Sequence, residues 1–189
     1  MAGLLPELGL QRRLDARFRK RINRAPSPLL AHGAPWLTVM LGSLAAGWLA
    51  IARTPVMPPL GYLVLIGWRQ LRPGVLPVWA GLPLGLADDL VSGQPAGSAV
   101  LLWSLTLLGL EAIEARWPWR NFGIEWAVAA GLIALYLLGA AMLASGTARI
   151  DWLPGVLVQI VVSVLAYPPA ARAVAAFDRL RLARFRNLG

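Results

Sequence analysis

The chain has no cysteine and a single histidine, His32, among its 189 residues. Without cysteine it can form neither a disulfide framework nor a thiolate metal site, and it has no thiol nucleophile. One histidine cannot supply a multi-histidine site, so zinc chemistry is excluded as well. The sequence also has no glycine-rich phosphate loop and no spacing typical of a Ser/His/Asp set or of metal ligands. We therefore expect neither enzymatic activity nor a cofactor.

Charge is also scarce, because 14% of the residues are charged and 58% are hydrophobic. The charges stand in short clusters between apolar runs, most of which are about as long as a helix that crosses a bilayer. The second run is shorter. The sequence predicts an all-α integral membrane protein with about six short transmembrane helices in one bundle. The apolar segments are Ala34 to Ala52, Pro59 to Trp68, Val75 to Val91, Ala96 to Ala115, Ile124 to Ala144 and Trp152 to Tyr167.

The basic residues predict the orientation. With a cytoplasmic N-terminus and six spans, all 18 lysines and arginines except Arg53 and Arg149 lie on the cytoplasmic side. Such an asymmetry is typical of multi-pass proteins of the bacterial inner membrane. We predict that both chain ends are cytoplasmic. The net charge of +9 then faces anionic lipid of that leaflet, and we expect no nucleic acid partner.

Three domains are predicted: a basic tail (1–32), the transmembrane domain (33–168) and a second basic tail (169–189). Apolar residues recur at helical spacing between the basic residues of both tails, a pattern typical of helices that lie on a membrane. The apolar positions are Leu10, Leu14, Phe18 and Ile22 in the first tail, and Val174, Phe177 and Leu180 in the second. The alternative is that both tails are solvated and only set the topology.

One acidic pair, Asp88 and Asp89, ends the third apolar segment in the stretch "GLADDLVSGQPAG". Carboxylates near membrane depth are functional candidates, and these could bind a cation, relay a proton, orient the following turn or contact a partner. Adjacent residues of a helix point about 100° apart, so the pair is not a catalytic dyad. We favour a structural role, in which Gly93 and Gly97 permit a tight connection and Asp89 accepts backbone N–H groups there.

Two further sets of residues predict contacts between helices. Arg69 and Arg72 reach the same leaflet as Glu111 and Glu114, so we predict structural ion pairs between the second and fourth segments. Small residues in the fifth segment form a stripe that allows close helix packing, either against a partner or within the protein's own bundle. This stripe consists of Ala127, Gly131 and Gly139.

Tryptophan is common, with nine residues, and several stand near predicted segment ends. At such positions an indole ring can sit at headgroup depth with its N–H in water. We predict this interfacial role, with core packing as the alternative. The tryptophans concerned are Trp36, Trp68, Trp117, Trp119, Trp126 and Trp152.

Two stretches resemble the rod shape-determining protein MreD family. They are "PPLGYLVLIGWRQLRPG" (Pro58 to Gly74) and "GLPLGLADDLVSGQPAGSAVLLW" (Gly81 to Trp103), about a third of the chain in total. The positions that carry the resemblance are Trp68, Pro73, Gly85, Asp89, Gly93, Pro95 and Gly97. Asp88 is an additional acid beside the family's aspartate position.

The resemblance implies a non-catalytic scaffold subunit of the bacterial cell-elongation complex, which contributes to peptidoglycan elongation and cell shape. Implied partners are the membrane protein MreC, the MreB filament, RodA and penicillin-binding synthases. The family is also similar in fold to the substrate-binding S-components (Gx transporter-like fold), so a vitamin-type uptake component is the alternative. A vitamin pocket needs convergent polar groups, and the apolar character of the segments favours the scaffold.

Overall fold

The computed structural model describes residues 24–25, 28–51, 57–116, 121–145, 151–181 and 186–187. Within these residues the helices are α1 (Pro28–Ile51), α2 (Leu60–Leu71), α3 (Gly81–Ser92), α4 (Ser98–Arg116), α5 (Phe122–Ser145) and α6 (Leu153–Arg181). A 3-10 turn (Val78–Ala80) leads into α3, and the strands β1 (Arg24–Ala25) and β2 (Arg186–Asn187) pair antiparallel. Each predicted apolar segment corresponds to one helix, so the prediction of a helical fold with six helices is confirmed.

The helices differ in length. Among the described residues, α4, α5 and α6 are long and apolar enough to cross a membrane. In contrast, α2 and α3 have 12 residues each. At about 1.5 Å per residue such a helix is about 18 Å long, which is less than the roughly 30 Å of hydrocarbon in a bilayer. The three long helices support the prediction of an integral membrane protein.

Prolines shorten α3 at its beginning. Pro77 has extended backbone (φ −66°, ψ 158°), and the 3-10 turn follows directly. Pro83 lies in the first turn of α3, where the helix requires no backbone N–H donor. The beginning of the third apolar segment is therefore not α-helical.

Helix α2 forms the centre of the protein. Gly61–Leu63 and Leu65–Gln70 are all buried, so this short helix is covered on nearly every side. It packs mainly against α1 and α6. At the α1 crossing Gly42 and Gly61 are in contact, and a Cβ added at Gly42 would lie 3.0 Å from the Cα of Gly61. Glycine at both positions lets the two backbones approach this closely.

The outward faces of the long helices are apolar. Leu105 of α4, Leu135 of α5 and Leu165 of α6 are more than half exposed, as are several of their neighbours. Soluble proteins rarely expose contiguous apolar surface on this scale. These faces are suited to contact with lipid chains or with other membrane helices.

The predicted interfacial role of Trp68 is wrong, because its side chain is fully buried. Its indole N–H donates to the Thr38 hydroxyl of α1 at 2.8 Å. The Arg181 guanidinium carbon lies 5.1 Å from the centre of its ring. Trp68 lies in the core because it belongs to the last turn of α2, and this helix is covered on nearly every side. Trp117 and Trp119 lie outside the described residues.

Helix α6 continues through the predicted domain boundary at 168–169 and ends at Arg181. A proline inside a helix leaves the carbonyl four residues earlier without its N–H donor. For Pro168 this carbonyl belongs to Val164, and it accepts the indole N–H of Trp126 at 3.2 Å. Helix α5 thus provides a replacement donor at this position.

The apolar residues that were predicted to lie on a membrane in the second tail stand on different sides of α6. Val174 is buried, but Phe177 and Leu180 are exposed. The buried face of this part of α6 instead consists of Val174, Asp178 and Arg181, which stand at helical spacing and pack toward α2. The inner face of this part of α6 therefore includes a charged pair, and Phe177 and Leu180 remain available on the outside.

The first predicted tail, 1–32, ends inside a helix, since α1 begins at Pro28. Its predicted surface helix lies outside the described residues. Strand β1 precedes α1 and pairs with β2, which follows α6. This pairing brings the residues that precede α1 and those that follow α6 to the same side of the protein.

Candidate functional site

The carboxylate of Asp89 caps the N-terminus of α4. Asp89 is buried in the last turn of α3, where it accepts the backbone N–H groups of Gly97 at 2.8 Å and Ala99 at 2.9 Å. The Ser98 hydroxyl donates to the same carboxylate at 3.1 Å. The first N–H groups of a helix have no partner within it, and the helix dipole favours a negative charge at this end. Asp89 therefore has the predicted structural role and fixes the connection between α3 and α4.

Two glycines and a proline shape this connection. Gly93 ends α3 in the left-handed conformation with φ +67°. Gly97 has φ +91°, and the Ser98 N–H donates to the carbonyl of Pro95 at 3.0 Å. This geometry is that of a turn with glycine at its third position, where other residues are strained. Gly93 and Gly97 therefore allow the chain to return within five residues, so that Asp89 reaches α4.

Gly85 brings α3 and α4 into backbone contact. A Cβ at Gly85 would lie 2.7 Å from the backbone of Val100, and one at Gly81 would lie 2.8 Å from the backbone of Ser104. Two small residues four apart form a face on which helices approach closely. The spacing of Gly81 and Gly85 is visible in the sequence, but the role of Gly81 was not predicted. The two glycines and the Asp89 cap make α3 and α4 one rigid hairpin.

Asp88 points away from this hairpin, as expected for the neighbouring residue of a helix. Its side chain is buried with 8% exposure and has the Ser43 hydroxyl of α1 as its hydrogen-bond partner. It lines a cavity of about 550 Å³ at the end of the protein where α1 and α3 end and α2 and α6 begin. The two aspartates therefore have different environments, because one binds backbone amides and the other faces an open space.

Aromatic residues form a cluster below this cavity that the sequence did not predict. Tyr62 stacks on Tyr136 with ring centres 4.1 Å apart, and its hydroxyl is 2.8 Å from that of Thr106. The Tyr136 hydroxyl lies beside Gln94 but makes no hydrogen bond of ordinary geometry, and neither does the buried indole N–H of Trp103. These tyrosines stand in apolar runs, so only the three-dimensional packing reveals that they meet.

At the opposite end of the protein, Arg69 is buried and lies between two glutamates. Its guanidinium is 3.1 Å from the Glu114 carboxylate and 3.8 Å from that of Glu111. The Glu114 side chain is 15% exposed, whereas that of Glu111 is 56% exposed. The structure thus brings together three of the four residues of the predicted ion-pair set, and Glu114 is the main partner of Arg69.

The predicted pairing of Arg72 with these glutamates is wrong. Helix α2 ends at Leu71, and Arg72 has left the helical conformation (φ −138°, ψ 85°), so its side chain turns toward α6. There it binds Asp178 at 3.1 Å, and Arg181 binds the same carboxylate at 2.8 Å. Two cations therefore share one buried acid that the sequence analysis had not included.

Pro73 belongs to the turn that follows. The Val75 N–H donates to the Arg72 carbonyl at 3.2 Å, and Gly74 has φ +88°. Proline at the second position and glycine at the third are typical of a type II turn. This turn reverses the chain between α2 and the segment leading to α3.

The three small residues of α5 do not share one face in the structure. Ala127 and Gly131 are exposed, and Gly131 has open space where a Cβ would stand. Gly139 instead packs against Leu102 of α4, which lies 2.9 Å from the position of an added Cβ. Ala127 and Gly139 are twelve residues apart, which in an α-helix is three full turns plus about 120°. The two residues therefore lie on different faces of α5. Only Gly139 packs within the protein.

The described residues contain no group of three or more histidine, aspartate or glutamate side chains placed to hold a metal ion. What the arrangement offers is a rigid helical hairpin, an ion-pair network at one end and a polar cavity at the other. No protein-family model, no curated protein and no solved structure matches the chain.

Proposed function

We propose that this chain is a non-catalytic membrane subunit of the bacterial cell-elongation machinery, similar to the MreD family. The proposal is supported by the structural role of the residues that carry this resemblance. Gly85, Asp89, Gly93, Pro95 and Gly97 together form the α3–α4 hairpin, with the Asp89 carboxylate at its centre. A sequence motif that builds a rigid hairpin serves a protein whose shape is recognised by its partners.

The proposed location is the bacterial inner membrane, with several spans and both termini in the cytoplasm. Pairing of β1 with β2 supports termini on one side. The ion pairs of Arg69 and Arg72 then lie at the cytoplasmic end, and Asp88 and Asp89 lie at the outer end. The excess of basic residues on the cytoplasmic side binds anionic lipid or an acidic partner surface.

The proposed mechanism is that the helices present a fixed outer surface to the membrane segments of MreC and other elongation proteins. The exposed part of α5 offers one suitable face, because Ala127 and Gly131 leave room for a partner helix to approach closely. Partner helices in a bilayer associate through such packing, since lipid chains are as apolar as leucine. The subunit would then act by positioning the synthases and would carry out no chemistry itself.

Depletion of the protein from its own cells tests the proposal. We expect rod-shaped cells to become round and an intact copy of the gene to restore the rods. An Asp89→Ala copy should restore them poorly and should co-purify less MreC after detergent extraction, whereas the matched Asp151→Asn copy should behave as the intact chain. Cells that remain rods after depletion would contradict the scaffold function.

A small-molecule uptake component is the second candidate, and the cavity beside Asp88 favours it. A volume of about 550 Å³ lies within the usual range of ligand pockets, about 300–1,000 Å³. Several polar side chains converge there, although the apolar segments had argued against such a site. Loss of uptake of a labelled solute in depleted cells of normal shape would support this candidate over the scaffold.

A further inference from the structure

The cavity at the outer end of the protein is formed by four helices. Ser43 and Trp48 belong to α1, and Gln159 belongs to α6. Asp88 lies near the end of α3, and Gln94 follows the residue that caps this helix. The segment just before α2, Met57–Pro59, closes another side. Because the walls come from segments far apart in sequence, the space depends on the complete fold and is not a surface groove of one loop.

The charge in this cavity has no counterion among the described residues. The Asp89 carboxylate is occupied by the amides of α4, whereas the hydrogen-bond partner of Asp88 in the described part of the chain is the Ser43 hydroxyl. No basic side chain is among the described residues that line the space. A buried carboxylate that is 8% exposed is costly unless a positive charge lies beside it.

The other lining groups are suited to an organic ligand. The Gln159 amide is fixed by donating to the Met57 carbonyl at 2.7 Å, and Gln94 lies beside the Tyr136 hydroxyl, which has no hydrogen-bond partner. The indole of Trp48 is 81% exposed at the rim. An indole face attracts alkylammonium groups, and buried hydroxyl and amide groups orient a polar end.

We propose that this cavity binds a small organic cation whose ammonium group pairs with Asp88. A bare metal ion fits less well, because a volume of about 550 Å³ far exceeds what an ion needs. The described residues also hold no group of three acidic or histidine ligands. An anion is disfavoured by two aspartates near the site. Binding at this end is independent of the scaffold proposal, which concerns the outer surface of the helices.

Calorimetry on the full-length protein in lipid nanodiscs tests the proposal with a matched pair of probes. Choline carries a permanent positive charge, and dimethylbutanol is its uncharged carbon isostere; ethanolamine serves as a smaller cation. We expect choline or ethanolamine to bind and the isostere to bind at least about tenfold more weakly, since it cannot pair with a buried carboxylate. Equal binding of choline and its isostere, or no binding of either cation, overturns the proposal.

Variants separate this site from general effects on folding. Asp88→Asn should weaken cation binding about tenfold or more, while Asp151→Asn, which removes an exposed carboxylate outside the cavity lining, should leave it unchanged. If Asp88→Asn does not fold, Trp48→Ala at the exposed rim provides the second test and should weaken choline binding. Unchanged affinity in Asp88→Asn, or in Trp48→Ala when the first variant is lost, overturns the proposal.

Discussion

The indole N–H of Trp126 in α5 donates to the carbonyl of Val164 in α6, the carbonyl that Pro168 deprives of its helical donor. This hydrogen bond replaces the donor that Pro168 removes from the Val164 carbonyl, and it links α5 to α6. The pair also joins the first turns of α5 to the middle of α6.

Trp126→Phe should lower the free energy of unfolding by about 1 kcal/mol, because it removes the donor but keeps an aromatic ring. In a Pro168→Ala background the backbone again supplies an N–H to Val164, so the same change should cost little. Reversible unfolding in mixed micelles with increasing dodecyl sulfate measures both costs in a double-mutant cycle. Equal costs in the two backgrounds would contradict this account of the proline.

Asp89→Ala should destabilise the protein by about 2 kcal/mol or more, because it removes the acceptor of two N–H groups, and that of Ala99 is buried. Asp89→Asn should have an intermediate effect, since its amide oxygen retains one acceptor. The apparent melting temperature of the detergent-purified variants gives the order. An alanine variant as stable as the original chain would show that Asp89 is not a cap.

Close packing at Gly85 gives a prediction with a matched control in the same hairpin. Gly85→Ala should destabilise by about 1 to 3 kcal/mol, since its Cβ would meet the backbone of Val100. Gly109→Ala places the same methyl group in open space on α4 and should be neutral or stabilising by up to about 1 kcal/mol. The two melting temperatures should move in opposite directions, and a common shift would argue against the close crossing.

The ion pair of Arg69 predicts unequal roles for its two glutamates. Glu114→Gln should destabilise by about 3 kcal/mol, because it leaves a buried guanidinium without its nearest carboxylate. Glu111→Gln should cost less than about 1 kcal/mol, as its side chain is largely exposed and more distant. Unfolding in mixed micelles distinguishes the two variants. If Glu111→Gln proves the more damaging, the assignment of the main partner is wrong.

The six helices follow from the sequence because an apolar run between charged clusters must satisfy its backbone hydrogen bonds internally. The role of Asp89 could also be predicted, since an acid, two glycines and a proline in a short connection are local features with defined geometry. The pairing of Arg69 followed from charges placed at the ends of neighbouring segments. Each of these predictions depends on residues that are close in sequence or on the side of the membrane at which an apolar segment ends.

Other features depend on packing between distant segments. Arg72 and Asp178 stand 106 residues apart, and nothing local indicates that they meet once α2 ends one residue before Arg72. The burial of Trp68 follows from the central position of α2, which is set by its neighbours and not by its own composition. The cavity beside Asp88 arises where four helices end. The spacing of Gly81 and Gly85 is a local pattern that could have predicted close helix packing.

The central claim is that the helices cross a membrane with Asp88 and Asp89 at the outer end and Arg69 at the cytoplasmic end. Since the chain has no cysteine, single cysteines can be introduced by Ser92→Cys at the first end and Asn121→Cys at the second, both at exposed positions. Labelling of intact spheroplasts with a membrane-impermeant maleimide is the most direct measurement. The account predicts that Ser92→Cys reacts before permeabilisation and Asn121→Cys only after it; reaction of both from the same side would contradict it.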